Sequence, residues 1–209
     1  MNMQEMETHN DSSLNPFIAF TDVGINLVLI LTFFVAAVLS VGRAGWGGAG
    51  CVEWEKSVYH AVMREMRPEL RPQHIDRAYR NDPTCVQRWR FAGKALFYPN
   101  SVKMTPEGYQ SVAKFAEILG RYRGQWRRIR IEGHTAPPLP GQNDDWELSA
   151  QRAAVVARIF HSRGRIPAYH LAVSGRAGQA PWDPLSRTNP ENERVEVVIE
   201  FVPAVSKQW

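Results

Sequence analysis

An aspartate stands inside an apolar run. In NPFIAFTDVGINLVLILTFFVAAVLSVGR, residues 15–43, no charged side chain appears from Val23 to Gly42, and apolar character reaches back to Phe17. A helix from Phe17 to Val41 would be about 37 Å long at ~1.5 Å per residue, enough to cross a bilayer with some tilt. Asp22 would then lie ~7–8 Å inside its start, where an ionisable group is costly and marks a functional site by default. A carboxyl group in such a place can take up a proton from one side and release it to the other. Each change of charge alters how a neighbouring helix packs beside it. The driving force is ~2.3 kcal/mol per charge per 100 mV. At ~100° per residue, Asp22, Asn26, Leu29, Phe33 and Ser40 fall near one line of the helix. Thr21 stands beside the aspartate. The plainer alternative is that Thr21–Asp22 caps a helix beginning at Val23, with the carboxylate at headgroup level.

Other reactive types are sparse. Cys51 and Cys85 both follow the apolar run and form no C-x-x-C pair, so neither a structural zinc nor a thioredoxin-like site is supported. They would form a disulfide if the C-terminal part is periplasmic, and otherwise stay as two buried thiols. A bridge between them would stabilise the fold by roughly 3–4 kcal/mol in the chain-entropy model. The six histidines are scattered, and no Ser/His/Asp or Cys/His grouping stands out. The chain is therefore read as a non-enzyme without metal or cofactor. RYRGQWRRIR, residues 121–130, interleaves five arginines with Tyr122 and Trp126 as a nucleic-acid binder would, but its alternating half reads as the solvated face of a strand. No direct nucleic-acid contact is expected.

The positioning elements follow from pattern and charge. A length of 209 residues allows one anchor plus one ordinary domain. Net charge is +4, yet Glu5, Glu7, Asp11 and Asp22 lie in residues 1–22 with no Lys or Arg. An acidic start and a long apolar run do not fit a cleaved signal peptide, so the segment is read as a retained anchor. Arg43 and Lys56 after the run favour a cytoplasmic C-terminal flank, a rule that weakens when a long domain follows.

Beyond the anchor, RAGWGGAG (43–50) reads as a flexible joint. Residues 52–66 place Trp54, Val58, Ala61, Val62 and Met66 on one helical side, with Pro68 and Pro72 as terminators. WRFAGKALFY (89–98) reads as a strand kinked at Gly93. Residues 105–120 form a helix capped by Thr105, with Tyr109, Val112, Phe115, Ala116 and Leu119 on one face. Residues 126–133 alternate as a strand with Ile129 and Ile131 inward. Residues 144–164 form a helix capped by Asp144 or Asp145, to which Trp146, Leu148 and Phe160 add apolar surface. Strands at 169–175 and 193–202 complete a two-layer α/β sandwich, a mixed sheet with helices on one face.

The stretch IRIEGHT…LSAQRAAVVARIF…LAVSGRAG…NERVEVVIEF resembles the OmpA-like peptidoglycan-binding domain, whose motifs run G-H-T-D, N-x-x-L-S-x-x-R-A, G-x-G and N-R-R-V-E. Gly133, His134 and Thr135 match the first; Leu148, Ser149, Arg152 and Ala153 the second; Asn192, Arg194, Val195 and Glu196 the last. The resemblance implies boundaries of 1–15 for a cytoplasmic tail, 16–42 for the transmembrane helix, 43–87 for a periplasmic linker with a short helix, 88–203 for the OmpA-like domain and 204–209 for a C-terminal tail. It also implies a site for diaminopimelate, whose ammonium and carboxylates need partners of both signs. Arg152 would grip a carboxylate with two prongs, or else be a solvated helix arginine. Thr135 would offer its hydroxyl and backbone amide to the ligand or else cap the loop, Leu148 would adjoin the ligand or else join the core, and Arg194 would adjoin the ligand. Ala136 replaces the motif aspartate, so Asp144 or Asp145 would have to substitute for it.

An anchor bearing one aspartate, followed by such a domain, is similar to the MotB-like stator B subunits. Among them the acidic tail and TDVGIN look most like the B subunit of the Zorya anti-phage system. The resemblance implies a homodimer within a ring of five multi-span A-type subunits, an inner-membrane location with a cytoplasmic N-terminus, and a periplasmic domain on peptidoglycan. Asp22 would relay H⁺, or Na⁺, past Asn26 and Thr21. The alternatives are a flagellar stator B subunit and a non-conducting cell-wall tether.

Overall fold

The structure, a computed structural model, describes residues 16–45, 49–75 and 85–202, with side chains of the first helix described over 23–39 only. The chain divides after Gly45 into two compact units. The first unit holds α1, Pro16–Gly45, a continuous helix of 30 residues. Its apolar side chains are exposed, Phe33 by 73% and Phe34 by 64%. The Thr32 hydroxyl turns back on its own helix, donating to the Val28 carbonyl oxygen at 2.9 Å. Among the described residues no helix is long and apolar enough to cross a membrane. Thr21 and Asp22 lie within α1, but their side chains fall outside the described residues. Asn26 is exposed.

The second unit is built around a five-stranded sheet. In chain order its elements are α2 (Ala49–Glu65), β1 (Gln73–Ile75), β2 (Val86–Ala92), α3 (Gly93–Leu96), α4 (Pro106–Arg121), β3 (Trp126–His134), α5 (Trp146–Ser162), β4 (Leu171–Gly175) and β5 (Arg194–Phe201). The strand order is β1-β2-β5-β3-β4. Only the β3–β4 pair is parallel, with α5 as its crossover, and the other pairings are antiparallel. The sheet is mixed, as the pattern implies.

Alternation along the strands separates two chemistries. Trp89, Phe91, Ile129, Ile131, Val195, Val197 and Ile199 point one way, into one core with α2, α4 and α5. The intervening Arg88, Arg90, Glu132, Glu196 and Glu200 point the other way and are nevertheless buried. At the core's centre, Phe115 of α4 meets Trp89 and Phe91 edge-on at 5.5 and 5.4 Å.

Local signals explain most helix ends. The Thr105 side chain accepts a hydrogen bond from the Gly108 N–H at 2.9 Å, with Pro106 opening α4. Arg71 closes the C-terminus of α2, donating to the carbonyls of Met63 and Met66 at 2.8 Å each. The apolar stripe of α2 is absorbed by its own unit, since Val58, Ala61, Val62 and Met66 are all buried in the common core. A disulfide joins Cys51 of α2 to Cys85, just before β2, with the Cα atoms 5.3 Å apart.

Four expectations are corrected. The strand expected over 89–98 ends at Ala92, and Gly93–Leu96 makes a helical turn instead. The strand expected from 169 starts at Leu171, after a 3₁₀ turn over Ala168–His170. Tyr109, placed by spacing on the face that holds Val112 and Phe115, is 44% exposed, and Trp146, counted among the apolar surface of α5, is 52% exposed. Asp145 occupies the N-cap position of α5, but neither it nor Asp144 caps the helix with its side chain.

Candidate functional site

Two loops, 135–145 and 176–193, meet above the ends of β3 and β4 and the first turn of α5. The join is tight. A Cβ at Gly133 would lie 2.0 Å from the Ser149 carbonyl oxygen, so only glycine lets α5 rest on the strand end. The buried Ser149 hydroxyl donates to the Trp146 carbonyl at 2.8 Å and accepts from the Ala177 N–H at 3.1 Å. The Thr135 N–H donates to the Ala177 carbonyl at 3.0 Å. Asp144 accepts from the Gly178 N–H at 2.8 Å. These bonds tie the two loops to one another through the helix start.

Between the loops lies a cavity of about 420 Å³. Its lining includes Thr135, Asp145, Leu148, Asn100, Arg187 and Glu193. Among the described residues the lining carries one cation, Arg187, and two carboxylates, Asp145 and Glu193. The Arg187 guanidinium is anchored by donating to the Pro138 carbonyl at 2.6 Å. Beneath it, Asn192 is completely buried and knots the loop. Its amide donates to the Ser186 carbonyl at 2.8 Å, and its side-chain oxygen accepts from the Asp183 N–H at 3.0 Å. Asp183 also accepts from Asn189, which with the Leu185 N–H holds its carboxyl below the usual carboxylate range.

Of the residues expected at a ligand, Thr135, Asp145 and Leu148 come together on this cavity. Asp144 is occupied by the loop bonds described above and is not in the lining. Arg152 is neither a solvated helix arginine nor a lining residue. It is 3% exposed, donates from Nε to the Ser101 carbonyl at 3.0 Å and from Nη1 to Glu193 at 3.1 Å, and lies over the Phe97 ring at 5.3 Å. Arg194 is likewise not in the cavity lining. It is buried, donating to Glu196 at 2.6 Å, to the Asn192 carbonyl at 3.2 Å and to the Ala180 carbonyl at 3.0 Å.

Arg194 belongs to the face of the sheet opposite the core, where acids and arginines interlock. Glu196 also receives Arg88 at 2.7 Å, and Glu132 receives Arg88 at 3.3 Å and Arg130 at 2.8 Å. Glu200 binds Arg128 and Arg130, each at 3.0 Å. Arg121 pairs with Glu65 at 2.6 Å. Arg121, Arg128 and Arg130 of the basic run are thus engaged in internal pairs. Glu132, His134 and Glu196 bring possible ligand atoms within 4.8 Å of one another, but their carboxylates already face guanidinium groups, a setting hostile to a metal cation. His134 is pushed down to about 3, first by burial and then by the Arg194 charge, so it is neutral.

Residues 96–196 match the OmpA family. They form an OmpA-like domain. No curated protein matches the sequence. Among solved structures, a MotB-like protein from Desulfovibrio vulgaris is similar at 27% identity, covering 72% of this chain and 96% of its own, with a TM-score of 0.59. The cell wall anchor of the T6SS from Pseudomonas aeruginosa shares the fold at 18% identity, covering 70% of this chain and 96% of its own, with a TM-score of 0.52.

The OmpA-like domain places two charged groups on the cavity that the sequence reading did not single out, Arg187 and Glu193. Glu193 had a signal: it stands between Asn192 and Arg194, where the N-R-R-V-E motif has arginine. Arg187 had none, because the 176–193 segment carries no periodic pattern.

Proposed function

We propose that this chain is the B subunit of a stator-type motor of the inner membrane, held to peptidoglycan by its OmpA-like domain. The observation that carries the reading is the likeness to the MotB-like protein across nearly all of that chain, together with a cavity bearing both signs of charge. A zwitterionic stem residue of the cell wall is the ligand class such a lining suits. Exclusion of catalytic clusters from the sequence and the engaged state of the Glu132–His134–Glu196 group favour a binding module over an enzyme.

The anchor is α1. Its exposed apolar surface and self-satisfied Thr32 hydroxyl suit lipid or a partner helix. The apolar run of the sequence continues past the described side chains to Gly42. In this reading Asp22 carries the ion, H⁺ before Na⁺, with Thr21 and Asn26 beside it. A homodimer sits within A-type multi-span subunits, five to two, the N-terminus is cytoplasmic and the OmpA-like domain periplasmic. Resemblance to the Zorya B subunit makes anti-phage defence the proposed role.

Asp22→Asn separates this reading from a passive tether. Reconstituted with its multi-span partner in vesicles, the variant should still co-purify as a complex yet lose voltage-driven proton uptake. Uptake by neither protein would leave only the tether, and equal uptake by both would remove Asp22 from the ion path.

A further inference from the structure

We propose that the end of the second unit where β3 and β4 begin is a docking surface for the anionic headgroups of a phospholipid bilayer. Arg123, Arg127, Arg128 and Arg165 are its cations, and Tyr169 is the ring that enters the headgroup layer.

The charge pattern comes first. Residues 118–131 hold five arginines and no acid, and residues 148–182 hold five more, again without an acid. In the fold these segments supply the turn from α4 into β3 and the connection from α5 into β4. Side chains tie the two together. Arg123 donates to the Arg165 carbonyl, and Nδ1 of His170 donates to the Arg127 carbonyl at 2.6 Å. His170 also meets Trp126 edge-on at 5.4 Å. Arginines far apart in sequence thereby share one end of the unit.

The acids at this end do not cancel that charge. Arg121 and Arg163 are spent on Glu65 and Glu117. Arg127 and Arg128 face Glu200 at 3.3 and 3.0 Å, and Arg130 reaches the same carboxylate. Strict alternation would send Arg127 and Arg128 to opposite faces, but a register shift between Trp126 and Arg128 sets both against Glu200. Glu200 is 2% exposed, whereas the two arginine side chains are 61% and 50% exposed. A buried carboxylate thus orients two guanidinium groups from below. Each has five N–H donors, and those not spent on Glu200 remain for phosphate oxygens. Arg123 and Arg165 are exposed and pair with no acid among the described residues.

Tyr169 supplies the apolar element. It is 81% exposed, with its ring 4.4 Å from that of His170. A tyrosine standing among arginines suits headgroup depth, where its ring is sheltered and its hydroxyl stays wet. Cations spread over two turns with an aromatic tip match a surface of many charges rather than one enclosed anion. A chain anchored by α1 would meet such a surface at high local concentration, although the assignment does not depend on that anchor.

The test keeps the full chain in neutral maltoside micelles doped with phosphatidylglycerol or phosphatidylcholine and reads amide hydrogen exchange. Mixed micelles present the headgroups whether or not α1 enters them, so failure of the anchor reading leaves this test intact. Phosphatidylglycerol should slow exchange over 122–128 and 165–170 by at least about fivefold, with β5 unchanged. Phosphatidylcholine should not, and about 0.5 M NaCl should abolish the effect. The Arg127→Gln, Arg165→Gln double variant should bring the two lipids to within about twofold, while unchanged exchange in β5 shows that it folds. Tyr169→Ser should reduce the slowing by about twofold and keep its salt dependence. Equal rates in both micelles for wild type, or slowing that survives in the double variant, would overturn the assignment. So would the same slowing from glycerol phosphate alone, which marks a free-anion site. Slowing by a short DNA duplex but not by lipid would overturn it in favour of a nucleic-acid face.

Discussion

Nη1 of Arg88 lies 2.7 Å from Oε2 of Glu196, joining β2 to β5 on the face of the sheet opposite the core. Glu196 is entirely buried and also takes Arg194 at 2.6 Å, so one carboxylate neutralises two guanidinium groups out of water. Breaking such a pair from the acid side leaves buried charge uncompensated. Glu196→Ala should cost roughly 3–5 kcal/mol of stability, read as a lowered urea midpoint with an unchanged slope. A loss within a few tenths would show that these arginines find water or other acids instead.

His134 gives a pH dependence with a definite sign. Its folded pKa, about 3, lies below the ordinary histidine value, chiefly through burial. Between ~6.5 and that value the unfolded chain binds a proton that the folded chain refuses. Stability from this group is therefore complete above ~6.5 and is lost as pH falls, by roughly 4–5 kcal/mol if followed to the folded pKa. Unfolding free energies measured from pH 7 to 4 should fall more steeply for wild type than for His134→Gln. Parallel curves would contradict a neutral buried imidazole.

The disulfide ties α2 to the start of β2 across 34 residues of sequence. Cys51 is buried among core residues, so the bridge also fixes how α2 lies on its own unit. The Cys51→Ala, Cys85→Ala double variant should lose roughly 3–4 kcal/mol by chemical denaturation. The same loss should appear in wild type on adding reductant and be absent in the variant.

Asn192 holds the loop that presents Arg187, with its amide and its carbonyl both bonded inside a buried site. Asn192→Ala leaves the Asp183 N–H and the Ser186 carbonyl without partners, a cost of about 1–3 kcal/mol. Amide hydrogen exchange over 183–189 should speed up more than exchange in β3 or β5. Uniform acceleration across the unit would mean that the asparagine supports the core rather than the loop.

Much of the fold was legible because its signals are local. Thr105, Pro106 and the apolar spacing define α4, and alternation defines β3 with Ile129 and Ile131 inward. Where sequence reading failed, a distant contact decided. Gly93 breaks the expected strand because β5 begins against it: a Cβ there would lie 2.7 Å from the Glu193 carbonyl oxygen. The arginines and glutamates of β2, β3 and β5 look like a solvated face, yet cross-strand pairing buries them, and pairing is invisible in one strand alone. At the site, Thr135, Asp145 and Leu148 were marked by motif. The Arg152–Glu193 pair spans 41 residues, and Arg187 rides on a loop held by asparagines rather than by apolar rhythm.

The most direct measurement compares binding of the full chain to intact sacculi with binding to sacculi stripped of their stem peptides by an amidase. A cavity that reads a zwitterionic stem residue predicts strong co-sedimentation with the intact wall and loss of it, by at least about tenfold, on the bare glycan. Undiminished binding to bare glycan, or none to the intact wall, would contradict the account.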